Sequence, residues 1–228
     1  MNRRHSLMAG AALVTGLTLI PVVKSAGENL ASQTEDSFWE VIKKRRSVRA
    51  YKSDPVPMAD LEKIVDAARM APTAGNQQPW KFLVITDKKK IEALKAAKLS
   101  EAETYLKEEK KLDGEELKAQ LQDYDNQLTN GYLSAPAYIV VLTDNSSRYP
   151  EYNHWDGPLA AANLMLAARA LGYGTVHITD SFSEELTRKV FNIPENYTRV
   201  CFTPVGVPLE WPVKEKLALG EFVVSNSF

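Results

Sequence analysis

Within five residues, Arg45-Arg46-Ser47-Val48-Arg49 places three guanidiniums and a hydroxyl, and Ala50 and Tyr51 follow directly. Arginine offers fork-shaped pairs of donors whose spacing matches phosphate oxygens, so Arg45, Arg46, Ser47 and Arg49 can together surround a phosphate. Charge alone leaves a second reading open, that of a solvated basic turn. A further segment, Ala71-Pro72-Thr73-Ala74-Gly75-Asn76-Gln77-Gln78-Pro79-Trp80, begins about 25 residues on. Its carboxamides donate and accept at once, which suits the polar edge of a heteroaromatic ring, and Gly75 permits close backbone approach. Taken by itself, this segment also reads as an ordinary loop bracketed by prolines.

Other chemistries find little support. The three histidines, His5, His154 and His177, are scattered, and no HExxH or similar ligand spacing occurs, so no catalytic metal is expected. The single cysteine, Cys201, rules out an internal disulfide framework and lies in the strand-like run VCFTPV, where it reads as a small buried hydrophobe. There is no nucleophile elbow or Ser-His-Asp constellation. No GxGxxG follows a strand, so a separate dinucleotide fold is not expected. A net charge of -1 gives no sign of nucleic-acid binding, and 44% hydrophobic with 25% charged residues is ordinary globular composition.

The elements that must hold these segments fit one domain over residues 36–228, preceded by a leader at 1–26 and a polar linker at 27–35. In the leader, Arg3 and Arg4 precede a 17-residue apolar run from Leu7 to Val23, the layout of an export signal or of a membrane anchor. Arg3-Arg4 followed by His5, Ser6 and Leu7 resembles a twin-arginine signal, which implies a periplasmic or envelope location, or a cytoplasmic one if the leader is misread. Asp36 is a candidate N-cap for a helix carrying Phe38, Val41 and Ile42 and running to Arg46; a second helix follows Pro57 and stops at Pro72. Trp80 to Thr86, Tyr138 to Thr143 and Val200 to Val205 read as strands. Two or three helices are expected between Lys88 and Asn130, and a long one from Gly157 to Leu171. Many short strands joined by helical stretches indicate an α/β or α+β domain.

RRSVRAY, then APTAGNQQPWKFLV, then WDGPLAAANLMLAARALGYGT closely resemble the nitroreductase family in order and spacing, across residues 37–224. The resemblance implies an α+β homodimer with a central, mostly antiparallel sheet flanked by helices and with FMN at the subunit interface. By position, Arg45, Arg46, Ser47 and Arg49 look like the family's phosphate and ring-edge contacts, and Asn76 like its flavin contact. Pro72, Thr73, Gln78 and Pro79 shape that loop, and Lys214 and Lys216 stand near where family members supply further basic groups. The resemblance further implies ping-pong hydride transfer from NAD(P)H through the flavin to a nitroaromatic, quinone or related acceptor, with donor and acceptor sharing one pocket. An exported protein would meet little NAD(P)H, so the alternative is an electron-relay or oxidase protein fed by a quinone or redox partner. One departure stands out: Thr179 occupies a position where the family commonly has glycine, which bears on pocket width. His177 reads as a packed core residue, and residues 99–131, with Tyr105 and Tyr124, as variable helices over the pocket.

Overall fold

The run Ala137-Tyr138-Ile139-Val140-Val141-Leu142-Thr143 is apolar at nearly every position, so a strand made from it must be covered on both faces. The computed structural model, which describes residues 38–227, places it at the centre of a sheet. The strands are β1 (Trp80–Ile85), β2 (Ala137–Asp144), β3 (Gly174–Thr175) and β4 (Tyr197–Gly206), in the spatial order β1-β2-β4-β3, with every neighbouring pair antiparallel. The helices are α1 (Phe38–Lys44), α2 (Met58–Ala68), α3 (Lys88–Glu108), α4 (Gly114–Asn130), α5 (Asn153–Ala170) and α6 (Glu184–Phe191). This is the expected α+β class. The leader, the linker and the Asp36 cap lie outside the described residues.

The period-two alternation of β2 sorts the core into two layers. Ala137, Ile139 and Val141 pack with Leu61, Ile64 and Ala68 of α2 and with Ala161, Leu164 and Ala168 of α5. Tyr138, Val140 and Leu142 pack on the other face with Leu94 of α3, Leu128 of α4, Leu186 of α6 and Phe202 of β4. Side chains buried this fully contribute roughly 1.5–3 kcal/mol each, so the two layers anchor everything the connecting loops carry.

Helix α5 begins four residues before the expected Gly157. The sequence disguises its first turn, because Pro158 lacks an N–H and residues 153–156 are polar or aromatic. Gly157 is required where α5 crosses the sheet: a Cβ there would overlap the Val200 side chain and sit 3.1 Å from Thr143 Cγ2. Val200 is the extra residue of an irregularity in the β2–β4 ladder, which passes from Val141↔Cys201 to Leu142↔Arg199. β4 is longer than expected, because Tyr197, Thr198 and Arg199 continue the pairing with polar side chains. Between Lys88 and Asn130 there are two helices, α3 and α4. Among the described residues, no helix is long and apolar enough to cross a membrane.

Candidate functional site

The chain leaves α1 at Lys44 and runs extended past the sheet edge. Val48 N donates to Thr175 O at 3.0 Å, and Ser47 forms a parallel bridge with Thr175. Val48 turns inward and is buried, pressed so closely on Gly174 that a Cβ at Gly174 would lie 2.7 Å from Val48 Cβ. Tyr51 N is held by Ser134 Oγ at 3.0 Å. With Val48 and Tyr51 as inward anchors, Arg45, Arg46, Ser47 and Arg49 share one short stretch of chain.

The arginines are under-partnered. Arg46 Nη1 donates to Lys43 O at 2.6 Å and to Arg45 O at 2.8 Å, while its buried Nε has no hydrogen-bond partner. Arg45 is half-buried; loss of water and the neighbouring Arg46 charge both hold its pKa below the usual arginine value. Arg49 Nε donates to Tyr132 Oη at 3.3 Å and Nη1 to Ser47 O at 3.2 Å. Among the described residues, no carboxylate pairs with any of the three. Partly desolvated, adjacent like charges with an orphaned donor are stabilised by an anion, so the segment fits a phosphate.

Arg49 opens onto a cavity of about 370 Å³ lined by Tyr124, Gln127, Leu128, Gly131, Tyr132 and Ser181. A second cavity, about 560 Å³, shares Tyr124 and Gln127 with it and lies between α3 and α4, where Lys98, Glu101, Tyr105 and Asp123 also line it. Tyr124 thus lines both cavities, the smaller one together with Arg49, whereas Tyr105 lines only the larger.

The 71–79 loop is built in the opposite manner. Gly75, Asn76 and Gln78 all adopt left-handed φ, at 53°, 55° and 50°. Thr73 accounts for part of this shape, since its carbonyl accepts from Asn76 N at 3.1 Å and its Oγ1 from Gln78 N at 3.2 Å. Two residues missing from the sequence-based set do the rest. Asp156, 4% exposed, accepts from Ala74 N at 3.2 Å and from Gln77 Nε2 at 2.8 Å. Gln77 also clasps the Tyr149 peptide, donating to its carbonyl at 3.0 Å and accepting from its N–H at 2.8 Å. The Tyr149 ring then lies against Gly75, where a Cβ would come within 2.7 Å of Cε2. Asn76 and Pro72 remain exposed, and the Asn76 carboxamide carries no hydrogen bond among the described residues.

Other candidate positions separate. Lys214 and Lys216 are exposed. The preceding residues do run beside the segment, with Lys52 N donating to Val207 O at 2.8 Å and Leu209 N to Ala50 O at 3.1 Å. The Thr179 carbonyl accepts from Arg199 Nη2 at 2.6 Å. His177 is half-buried, and burial lowers its pKa. Cys201 is fully buried with its thiol pushed up to about 11, so it is no nucleophile at neutral pH. Among the described residues, no group of three or more His, Cys, Asp or Glu could hold a metal.

Comparison with known proteins agrees with this architecture. A "Putative NADH dehydrogenase/NAD(P)H nitroreductase" of Archaeoglobus fulgidus is 35% identical over 175 residues, 74% of this chain and 84% of the relative. An iodotyrosine deiodinase of Thermotoga neapolitana is 29% identical over 177 residues, 75% of this chain and 88% of the relative. Among solved structures, oxidized iodotyrosine deiodinase bound to FMN and 3-iodo-L-tyrosine superposes with a TM-score of 0.65 at 25% identity, covering 84% of this chain and 100% of the other. Residues 42–207, from the end of α1 to the strand end beside Arg49's segment, match the Nitroreductase family, and the chain belongs to that family.

Proposed function

We propose that this chain is an FMN-dependent oxidoreductase that reduces small organic acceptors, with NAD(P)H as donor and both substrates using one pocket in turn. The observation that carries the reading is the pair of partly buried guanidiniums of Arg45 and Arg46, including the orphaned Arg46 Nε, beside the exposed Arg49, with no carboxylate paired to any of the three among the described residues. Arg45, Arg46, Ser47 and Arg49 would hold the FMN phosphate and ring edge, and the exposed Asn76 carboxamide would meet the ring from loop 71–79. Bound FMN supplies the chemistry of accepting and passing on a hydride, while the protein orients the partners and balances charge. Arg49, which faces the cavity, is placed to stabilise negative charge on a reduced ring.

The same reading includes a homodimer with FMN at its interface. Within one chain, no hydrogen bond joins 45–49 to 71–79 among the described residues, so a second subunit would complete the site. Large apolar side chains suited to such an interface stand exposed on α1, where Phe38 and Trp39 are 65% and 66% exposed, and along the C-terminal segment at Leu217, Leu219 and Phe222. Lys214 and Lys216 lie in that segment and would reach the phosphate in the assembled form.

As to acceptor, nitroaromatics and quinones fit the open pocket. The α3–α4 cavity adds an observation favouring zwitterionic aromatic substrates, since Tyr105 and Tyr124 stand there with Lys98, Glu101 and Asp123. The deiodinase relatives support including halogenated phenols, whose reduction replaces the carbon–halogen bond with carbon–hydrogen and releases halide. A second reading rests on the leader sequence: an exported flavoprotein fed by a quinone or redox partner. An anaerobic visible-absorption titration of the leaderless protein with NADH and then NADPH tests both. Bleaching of a bound flavin supports the nicotinamide-driven enzyme; a yellow protein that refuses both supports the partner-fed one, and a protein that binds no flavin overturns both.

A further inference from the structure

Asp156 is buried beneath the 71–79 loop and meets it at two points, the Ala74 amide and the Gln77 carboxamide. Between those points lie Gly75 and Asn76, both at left-handed φ, a conformation that costs Gly nothing and that Asn tolerates better than most other residues. Both Gln77 side-chain N–H donors are engaged toward this core, shared among Tyr149 O, Asp156 Oδ2 and, at 3.4 Å, Asn153 Oδ1, while its oxygen takes the Tyr149 N–H. Asn153 is tied in turn to β2 through Asp144 O at 2.9 Å. A continuous hydrogen-bonded path thus runs from the sheet through the first turn of α5 to the two residues flanking the Gly75-Asn76 pair. A buried carboxyl group needs donors to replace water, and among the described residues the two that reach Asp156 from outside its helix both come from the loop.

We propose that Asp156 is a positioning residue for the flavin: acting through Ala74 and Gln77, it fixes the left-handed Gly75-Asn76 pair that presents the Asn76 carboxamide to the ring. Asp156 does not touch the ring itself. The proposal rests on the reading of loop 71–79 as the flavin-facing loop.

The test compares wild type, Asp156→Asn, Gln77→Met and the double variant. FMN affinity is read by fluorescence quenching, the bound flavin by its visible spectrum, and the FMN-free protein by amide exchange at Ala74 and by thermal melting. Asp156→Asn keeps shape but turns one acceptor into a donor facing Gln77 Nε2. Each single change is expected to raise the FMN Kd about tenfold, shift the bound-flavin spectrum toward that of free FMN, and speed exchange at Ala74. The double variant is expected to be no worse than the poorer single, because both changes remove one shared anchor. A lowered melting temperature with Kd and bound-flavin spectrum unchanged would assign Asp156 a purely structural part and overturn the proposal. Additive losses would overturn the route through Gln77. If Asp156→Asn fails to fold, Gln77→Met, a change in the loop outside the apolar core, carries the same expectations. Wild type that binds no FMN overturns the underlying reading, and that outcome is separate because no variant is involved.

Discussion

Segment 45–49 and loop 71–79 both bring several polar groups to the candidate site, and they treat those groups in opposite ways. In the first, the Arg45 and Arg46 guanidiniums are partly stripped of water while Arg49 is exposed, no carboxylate pairs with any of them among the described residues, and Arg46 Nε is buried without a partner. In the second, the inward-facing groups are matched within the protein: Ala74 N and Gln77 Nε2 to Asp156, Gln77 Oε1 to Tyr149 N, Gln78 N to Thr73 Oγ1. On the proposed function a ligand would complete the first region electrostatically, whereas the fold sets the second beforehand. Loss of an anion should therefore loosen the arginine segment and leave the loop intact.

The largest expected effect is on the unpaired side. Arg45→Ala or Arg49→Ala should each remove charge-assisted bonds to FMN phosphate or ring, weakening binding by about 1.5–3 kcal/mol, roughly ten- to a hundredfold or more in Kd. The FMN-free Arg45→Ala protein should melt no lower than wild type, since the change relieves repulsion with Arg46. Fluorescence titration and calorimetry check both halves; unchanged affinity in both variants would end the phosphate assignment.

On the paired side the order of effects reverses. Gly75→Ala forces an L side chain into left-handed backbone at a cost of about 1–2 kcal/mol and adds an overlap with the Tyr149 ring. Its signature is a melting temperature lowered by roughly 2–4 °C per kcal/mol in the FMN-free protein, beyond the effect of any Arg variant. Equal melting of Gly75→Ala and wild type would erase the contrast between the regions.

Smaller effects refine it. Tyr132→Phe deletes the acceptor of Arg49 Nε, a bond of 3.3 Å, and should change FMN affinity by about 0.5–1.5 kcal/mol with little change in stability. His177 belongs to the segment that follows the Ser47–Thr175 bridge, and burial depresses its pKa below the ordinary 6.5. Below pH 6.5 the unfolded chain then binds more protons at this residue than the folded one, so stability contributed by neutral His177 is present above that pH and is lost as pH falls. Comparing melting from pH 7 to pH 5 for wild type and His177→Gln should show a shallower decline in the variant; parallel curves would remove His177 from the account.

Much of the fold was legible because it follows from local pattern. The strand at Trp80, the central strand at Tyr138 and the two apolar faces of α2 and β2 are written as periodicities of apolar residues, and Gly75 and the prolines mark the loop. The start of α5 was not legible, since Pro158 and a polar first turn argue against a helix unless the sheet beneath is known. Nor were the polar extension of β4 and its irregularity at Val200, which cross-strand pairing imposes.

For the site the division is similar. Residue types and spacing alone determined that Arg45, Arg46, Ser47 and Arg49 can face one anion and that the Asn76 loop precedes a buried strand, because guanidinium geometry and apolar runs are properties of the chain itself. Only the tertiary structure decided that no carboxylate pairs with the arginines among the described residues, that Asp156 and Gln77 support the loop, and that Lys214 and Lys216 stand exposed. Gln77 is 79 residues from Asp156. Nothing in a linear pattern reports a hydrogen bond over that separation, because burial, and with it the need for a partner, exists only once the sheet and α5 have closed over the groups.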